Sequence, residues 1–470
     1  MHQLRKLYLR PFNLSPFQPF PLASDFIATL EWRGMLHQLT PGIREHLQSG
    51  RRKAYIGFDP TAPSLTIGNY VQVMLLLHWM RAGHEAVVLF GGATGRIGDP
   101  SGKDKERELK TYEELDRNLA HQQAQMQQLL TSRSPAAGLG NRPGGAAGGN
   151  IVNNLEFYRE MNALDFLRDV GKTLTISYMM SKDSVQNRLD SGMSFTEFSY
   201  QLLQGYDFQR LYADYGVTVQ MGGSDQWGNI TSGTEFVRRN LEGKAYAVTT
   251  PLLTKADGSK FGKSAEGNIW LDGELTSPYD FYQFWLRADD ADLTTYLKYF
   301  SLREKDDILA DCAVIEAHLG GEDRYREVTT IRTGLAEELT ERIHGTEALT
   351  TAKRVTNLLW GRGATAEDLR ALDQKAFATL RGNIPTFELA AATLPVDLLT
   401  LLSEVGEVVS SKSEARRAVQ GNAIALNKAK VADPDRRVSV NDFLHQRYLL
   451  VENGRKNRYL YELSKPAGGG

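Results

Sequence analysis

The chain has 470 residues, 41% of them apolar and 24% charged, with a formal net charge of -2 and one cysteine. That length exceeds one compact domain, and the near-neutral charge excludes a basic coat of the kind that binds nucleic acid indiscriminately, DNA included. No apolar run reaches the roughly 20 residues of a membrane span, and the lone Cys312 excludes an internal disulfide or a cysteine zinc site, so no membrane partner and no bound metal is expected, and the cytoplasm is the expected compartment.

Residues 1–24 carry Arg5, Lys6 and Arg10 and no acid; the first is Asp25. Four prolines there, from Pro11 to Pro21, would break any amphipathic helix. Residues 1–30 are therefore read as a leader without fixed structure, with an organelle transit peptide as the alternative. From about residue 50 to 270 short apolar runs alternate with helical patterns. AYIGF (54–58), EAVVLFGG (85–92) and VTVQMGG (217–223) read as buried parallel strands ending in small residues. LLLHWMRAG and FSYQLLQGYDFQRLY read as the intervening helices. This alternation predicts an α/β fold: a doubly wound, Rossmann-like parallel sheet over residues 31–270, with ligands at the carboxyl ends of its strands. Residues 134–149, SPAAGLGNRPGGAAGG, are too poor in apolar surface to order and read as a flexible insert. Residues 271–390 keep a helical period, predicting an α-helical domain. Residues 398–464 return to short mixed elements, predicting a small α+β domain, and the PAGGG tail frays.

Four polar clusters follow the strand ends or their neighbourhood: DPTAPSLTIGN, ATGRIGDPSGK, SDQWGN and KADGSKFGKS. In the second long helical pattern Tyr200, Gln204 and Asp207 fall at i, i+4 and i+7, on one face. Alone, that strip reads better as a solvated helix face than as a pocket wall, since short polar stripes are common. Phe198, Leu202 and Tyr206 form the apolar stripe beside it. Other phosphate-binding patterns fail. GDPSGK has three residues between its glycines where a P-loop needs four, Asp257 stands where a glycine would precede Gly262-Lys263, and there is no G-x-G-x-x-G.

Taken in order, these segments resemble the class I aminoacyl-tRNA synthetases, and specifically the bacterial-type tyrosyl-tRNA synthetases. SLTIGN lies where that family's HIGH motif falls and KFGKS where its KMSKS loop falls. YIGFDPT, GDPSGK, the Tyr200/Gln204/Asp207 strip and GGSDQWGN resemble tyrosyl-specific segments. The resemblance runs from about Trp32 to the C-terminus, the glycine-rich insert apart. It implies an ATP-dependent ligase that makes tyrosyl-adenylate and pyrophosphate, then passes tyrosine to the 3′ end of tRNA(Tyr). It also implies a homodimer, Mg2+ carried on the ATP phosphates, and no tightly bound cofactor.

The resemblance implies residue roles too. Tyr55 and Asp207 bracket the substrate's phenolic hydroxyl; Asp99, Tyr200 and Gln204 receive its ammonium; Gln226 lies at its carboxyl end. Asp59, Gly68, Asn69, Gly223, Asp225, Lys263 and Ser264 bind ATP. Lys260, Lys263, Thr61 and Thr66 serve the transfer, where positive charge and donors are needed as charge spreads over phosphoryl oxygens. Lys103 and Arg107 resemble a loop that holds pyrophosphate, or start a solvated helix. Thr66 and Asn69 replace the two histidines of HIGH and keep hydrogen-bonding capacity without charge.

Residues 410–465 hold twelve Lys and Arg against six acids, a local +6 in a chain of net -2. That asymmetry is the footprint of a phosphate-reading patch, with Lys412, Arg416 and Arg417 as leading contacts to tRNA. Two rivals stand. A tryptophanyl-type enzyme is disfavoured by a carboxylate–phenol pair, which suits a hydroxyl better than an indole N–H. An RNA-binding protein that kept the fold and lost the chemistry would show no amino-acid-dependent exchange.

Overall fold

The three apolar runs become neighbouring strands of one sheet in the computed structural model, which describes residues 25–99, 101, 110–131, 150–182, 185–186, 192–264, 267–319, 326–361, 364–454 and 457–464. Its strands are β1 (Gln38–Leu39), β2 (Lys53–Phe58), β3 (Glu85–Phe90), β4 (Asn150–Asn153), β5 (Val219–Gly223) and β6 (Tyr246–Thr250), in the order β1-β6-β5-β2-β3-β4. Strands β2 to β6 are mutually parallel, and β1 closes the edge antiparallel to β6. The chain leaves β2 to build β3 and β4 on one side, then returns to build β5 and β6 on the other. Connections therefore depart in opposite directions from β2 and β5, opening a crevice at their carboxyl ends.

The helices that matter to this crevice are α1 (Phe26–Arg33), α2 (Ile67–Arg81), α3 (Tyr112–Thr131), α4 (Leu155–Tyr158), α5 (Phe195–Tyr215) and α6 (Trp227–Leu241). Helix α5 starts where Ser194 and Glu197 form a capping box and stops at Gly216, whose φ of 68° supplies the left-handed turn. Its apolar stripe packs as expected: Leu202 is buried, with Phe198 and Tyr206 against the same cluster. One boundary is corrected. Residues 25–30 have fixed structure, because Asp25 caps α1 and Phe26, Ile27 and Leu30 are buried, with Phe26 edge-on against Trp79 at 4.9 Å. The rest of the expected leader, the insert at 134–149, and Lys103 and Arg107 lie outside the described residues.

The chain divides into two units, residues 1–268 with 295–302 and residues 269–294 with 303–470. The second holds the helical segment, including Pro278–Leu286, Arg326–His344 and Thr346–Trp360. It also holds a five-stranded sheet of residues 429–430, 424–426, 448–453, 457–464 and 386–390, in that order. That sheet covers a core of Leu398, Leu401, Leu402, Val419, Leu449 and Tyr461.

At the amino end of the parallel sheet two imidazoles are held neutral. His84 is 4% exposed, stacks on Trp79 and accepts the Arg52 N–H at Nδ1; burial, then Arg52 and Arg51, pull it down to about 4. His46 stacks on Tyr246, shares a 2.8 Å hydrogen bond with Thr218 Oγ1 and is likewise lowered to about 4, by burial and then Arg52. In the unfolded chain both titrate near 6.5, so as pH falls from there toward 4 the unfolded state takes up protons that the fold refuses, and stability is lost. The expected result is a urea midpoint that drops across this window. In a His46→Gln/His84→Gln variant the drop should be shallower, and equal slopes in the two proteins would refute the assignment.

Candidate active site

Tyr55 on β2 and Asp207 on α5 are near enough that the Asp207 charge acts on the Tyr55 phenol. Both are 1% exposed, and the Tyr55 ring stands edge-on to Phe208, the residue after Asp207, at 5.2 Å between centroids. Tyr55 Oη is buried and makes no hydrogen bond with a described residue. A buried hydroxyl without a partner costs free energy in a finished protein, so a ligand atom is the natural partner. Burial first, then the Asp207 charge, pushes the Tyr55 phenol well above its ordinary value, so it stays a donor. Burial also raises Asp207 to about 7, with hydrogen bonds from Asn154 and Tyr158 pulling the other way. Asn154 Nδ2 reaches Asp207 Oδ2 at 2.8 Å, and the Tyr158 hydroxyl reaches Oδ1 at 2.8 Å.

A second carboxylate sits two hydrogen bonds beyond Asn154. Asn154 Nδ2 also donates to Thr94 Oγ1 at 3.0 Å, the Thr94 hydroxyl donates to Asp59 Oδ1 at 2.7 Å, and the Tyr200 hydroxyl donates to Asp59 Oδ2 at 2.9 Å. Asp59 therefore stands beside Tyr200, on the side assigned to the ammonium, as well as next to the nucleotide segment. Close approach is built in: a Cβ on Gly91 would fall 1.9 Å from Asp59 Oδ1 and 2.3 Å from Thr94 Oγ1, so no side chain fits there. Asp99 is gathered into the same cleft by Gln226 Nε2 at 2.7 Å and by the Ser101 N–H at 2.9 Å. Asp225, after β5, is raised by burial first and by Asp99 second. Gly223 leaves its Asp225 neighbour room, since a Cβ there would lie 2.6 Å from Asp225 Oδ1. Gln204 is partly buried one turn from both Tyr200 and Asp207 on α5.

The TIGN segment forms the start of α2. Thr66 is its N-cap, accepting the Asn69 N–H at 3.3 Å, while Asn69 Oδ1 accepts the Thr66 N–H at 3.0 Å and the Thr66 hydroxyl at 2.8 Å. These two residues satisfy each other, so the exchange for histidine also makes a capping box. Thr61 is partly buried just before them, its N–H donating to the Asp59 carbonyl.

The lysine loop comes to the same place. Gly258 and Gly262 both have φ of 80°, and a Cβ on Gly262 would lie 2.7 Å from Ile67 Cγ2 and 3.3 Å from the Gly68 nitrogen. Phe261 is buried against Phe300 and Tyr296, at 5.4 and 5.2 Å. The KFGKS segment thus presses on the first turn of α2, with Lys260 and Lys263 exposed on either side. Two cations and a helix N-terminus at one spot are suited to an anion. Ser264 lies in the strand after Lys263.

In the second unit Lys412, Arg416 and Arg417 are exposed on the helix Lys412–Gln420. The charge there is more neutralised than the sequence count implies. Lys412 pairs with Glu404, Arg416 with Asp435, Lys428 and Arg458 with Glu452, and Arg447 with Glu462. Exposed pairs of this kind are weak, so the first two can exchange their acids for phosphates.

Sequence reasoning passed over Asn154, Tyr158 and Thr94. The signal was present: NIVNN is a short apolar strand ending in two amides, at the same sheet edge as the other clusters. The glycine-rich insert just before it hid the pattern.

Residues 48–361 match the family model described as tRNA synthetases class I (W and Y), and residues 376–461 match the one described as tyrosine–tRNA ligase SYY-like C-terminal domain. A tyrosine–tRNA ligase of Cytophaga hutchinsonii is 46% identical over 93% of this chain and 99% of its own, and one of Bacteroides fragilis is 45% identical over the same shares. Among solved structures, a C-terminally truncated mitochondrial tyrosyl-tRNA synthetase of Aspergillus nidulans is 31% identical with a TM-score of 0.63, covering 72% of this chain and 94% of that one.

Proposed function

This chain belongs to the class I tRNA synthetases, within the tyrosine–tRNA ligases, and from that premise we propose how its residues carry out the work. As an ATP-dependent ligase it activates tyrosine with ATP and charges tRNA. The observation that carries the residue assignment is the buried, unpartnered Tyr55 hydroxyl beside the buried Asp207. A substrate phenol between them donates its proton to Asp207 and accepts the one from Tyr55. The analogue without the hydroxyl leaves the Tyr55 hydroxyl unpaired and the remaining acceptor position of Asp207 empty, and a site built this way rejects it strongly.

The substrate ammonium falls to Asp99, Tyr200 and Gln204, with Asp59 within reach through Tyr200, and Gln226 lies at the carboxylate end. That carboxylate then meets the α-phosphate of ATP, with the nucleotide against Asp59, Gly68, Asn69, Gly223 and Asp225. As the bond to pyrophosphate breaks, Lys260 and Lys263 receive the developing charge from the loop, Ser264 following in the backbone. Thr61 and the amide end of α2, capped by Thr66, hold the phosphates in place. Mg2+ belongs to the nucleotide in this reading. Among the described residues no group of three potential ligands stands together to cage a metal, and magnesium commonly arrives on phosphates with one or two carboxylates.

Lys412, Arg416 and Arg417 face the tRNA backbone. A homodimer is supported by exposed apolar side chains concentrated between residues 164 and 195: Leu164, Leu167, Ile176, Met180 and Phe195, the last 74% exposed. No helix among the described residues is long and apolar enough to cross a membrane, and the compartment we assign is the cytoplasm. The direct test is pyrophosphate exchange with each amino acid in turn. Exchange with tyrosine alone is expected, whereas exchange with tryptophan in its place would overturn the pocket assignment.

A further inference from the structure

Asp207 is held by two neighbours that have no contact with substrate in the reading above. Asn154, 0% exposed, occupies Oδ2, and Tyr158, from the short helix α4, occupies Oδ1. A carboxylate offers about four acceptor positions, so each oxygen keeps one for another donor while its plane is fixed from both sides. The Tyr158 hydroxyl has a choice. Its single proton can go to Asp207 Oδ1 at 2.8 Å or to the Leu203 carbonyl at 2.9 Å. An ionised carboxylate is the stronger acceptor, so the proton points to Asp207 whenever Asp207 is charged. Should Asp207 take up a proton, the phenol turns to Leu203 and accepts instead, with no movement of heavy atoms.

On the tyrosine-pocket reading, we infer that Tyr158 is a positioning residue for substrate choice: its hydroxyl holds Asp207 ionised and correctly turned to accept the proton of the substrate phenol. The groups facing Asp207 support this. Asp59, from the segment after β2, opposes ionisation by its like charge, while Tyr55 on β2 and Tyr200 on the same helix as Asp207 are neutral phenols. Among the described residues the groups that favour the charged form are Asn154 and Tyr158. Without the Tyr158 hydroxyl, burial and Asp59 gain ground, and Asp207 stays protonated to a higher pH.

The test is tyrosine-dependent pyrophosphate exchange from pH 5.5 to 8.5 in the unmodified protein, in Tyr158→Phe and in Tyr206→Phe. Tyr206 packs against Tyr158 at 5.6 Å, but its hydroxyl accepts from Arg210 and does not reach Asp207. The unmodified protein should lose kcat/KM for tyrosine as pH falls through about 7. In Tyr158→Phe that limb should move up by about one pH unit, with KM at pH 7 raised about fivefold, kcat within twofold, and rejection of phenylalanine weakened. Tyr206→Phe should superpose on the unmodified protein. A merely structural role would lower kcat by reducing the folded fraction and leave KM and the limb in place; that result overturns the inference. It is distinguishable from failure of the pocket reading itself, in which Asp207→Asn would leave the limb and phenylalanine rejection unchanged.

Discussion

Lys263→Ala is expected to lower tyrosine-dependent pyrophosphate exchange by about 10²–10³-fold in kcat while leaving tRNA affinity and thermal stability within error. The magnitude is that of removing one preorganised donor or charge from the place where negative charge develops. Two features make the reading clean. Lys263 is exposed, and truncation at an exposed site changes stability by no more than about 0.5 kcal/mol. The surrounding loop is fixed by Phe261, buried among Phe300 and Tyr296, and by Gly262 against Ile67, none of which the substitution touches. KM for tyrosine should barely move, because the proposed role puts the lysine on the nucleotide side. Single-turnover adenylate formation would settle the matter: a loss confined to KM for tyrosine would mean that the lysine acts elsewhere.

Asp207→Ala should collapse discrimination between tyrosine and phenylalanine, by at least about 10²-fold in the ratio of kcat/KM. The ceiling for a site that hydrogen-bonds a substrate hydroxyl, about 10⁴–10⁵-fold, comes from measurements on tyrosine-activating enzymes themselves and is an empirical bound rather than a product of this geometry. The substitution also strips Asn154 and Tyr158 of their shared acceptor. Tyr158 can turn to the Leu203 carbonyl, but one Asn154 N–H is left buried and unpaired, at a cost of about 1–3 kcal/mol, so the variant should melt earlier as well. Asp207→Asn keeps the shape and an acceptor, and separates the two effects: it should recover much of the melting temperature without recovering the discrimination. Unchanged phenylalanine rejection in both variants would show that another group reads the hydroxyl.

The fold was legible because its signals are local and repeated. AYIGF, EAVVLFGG and VTVQMGG are apolar on both faces, as parallel strands covered by helices must be, and they became β2, β3 and β5. The capping box at Ser194 and Glu197 and the stop at Gly216 mark a helix without reference to anything distant. What composition concealed was pairing across the chain. The +6 count near the C-terminus treats each charge as free, but Arg447, Lys428 and Arg458 are consumed by Glu462 and Glu452. Likewise the partners of Asp207 come from residues 154 and 158, about fifty positions away. Periodicity along one helix has no means of naming them. Thr66 and Asn69 illustrate a different limit: read as stand-ins for histidine, they also close a helix end on each other, a role visible only once the first turn of α2 is in place.

The hydrogen bonds from Tyr158 through Asp207, Asn154 and Thr94 to Asp59 and Tyr200 form one unbroken string. On the proposed pocket reading, one rigid instrument would sense the amino acid's two ends. A chemist retuning this pocket for an unnatural side chain should therefore find that single replacements interfere with one another, and that libraries varying positions 55, 94, 154, 158 and 207 together succeed where successive rounds stall.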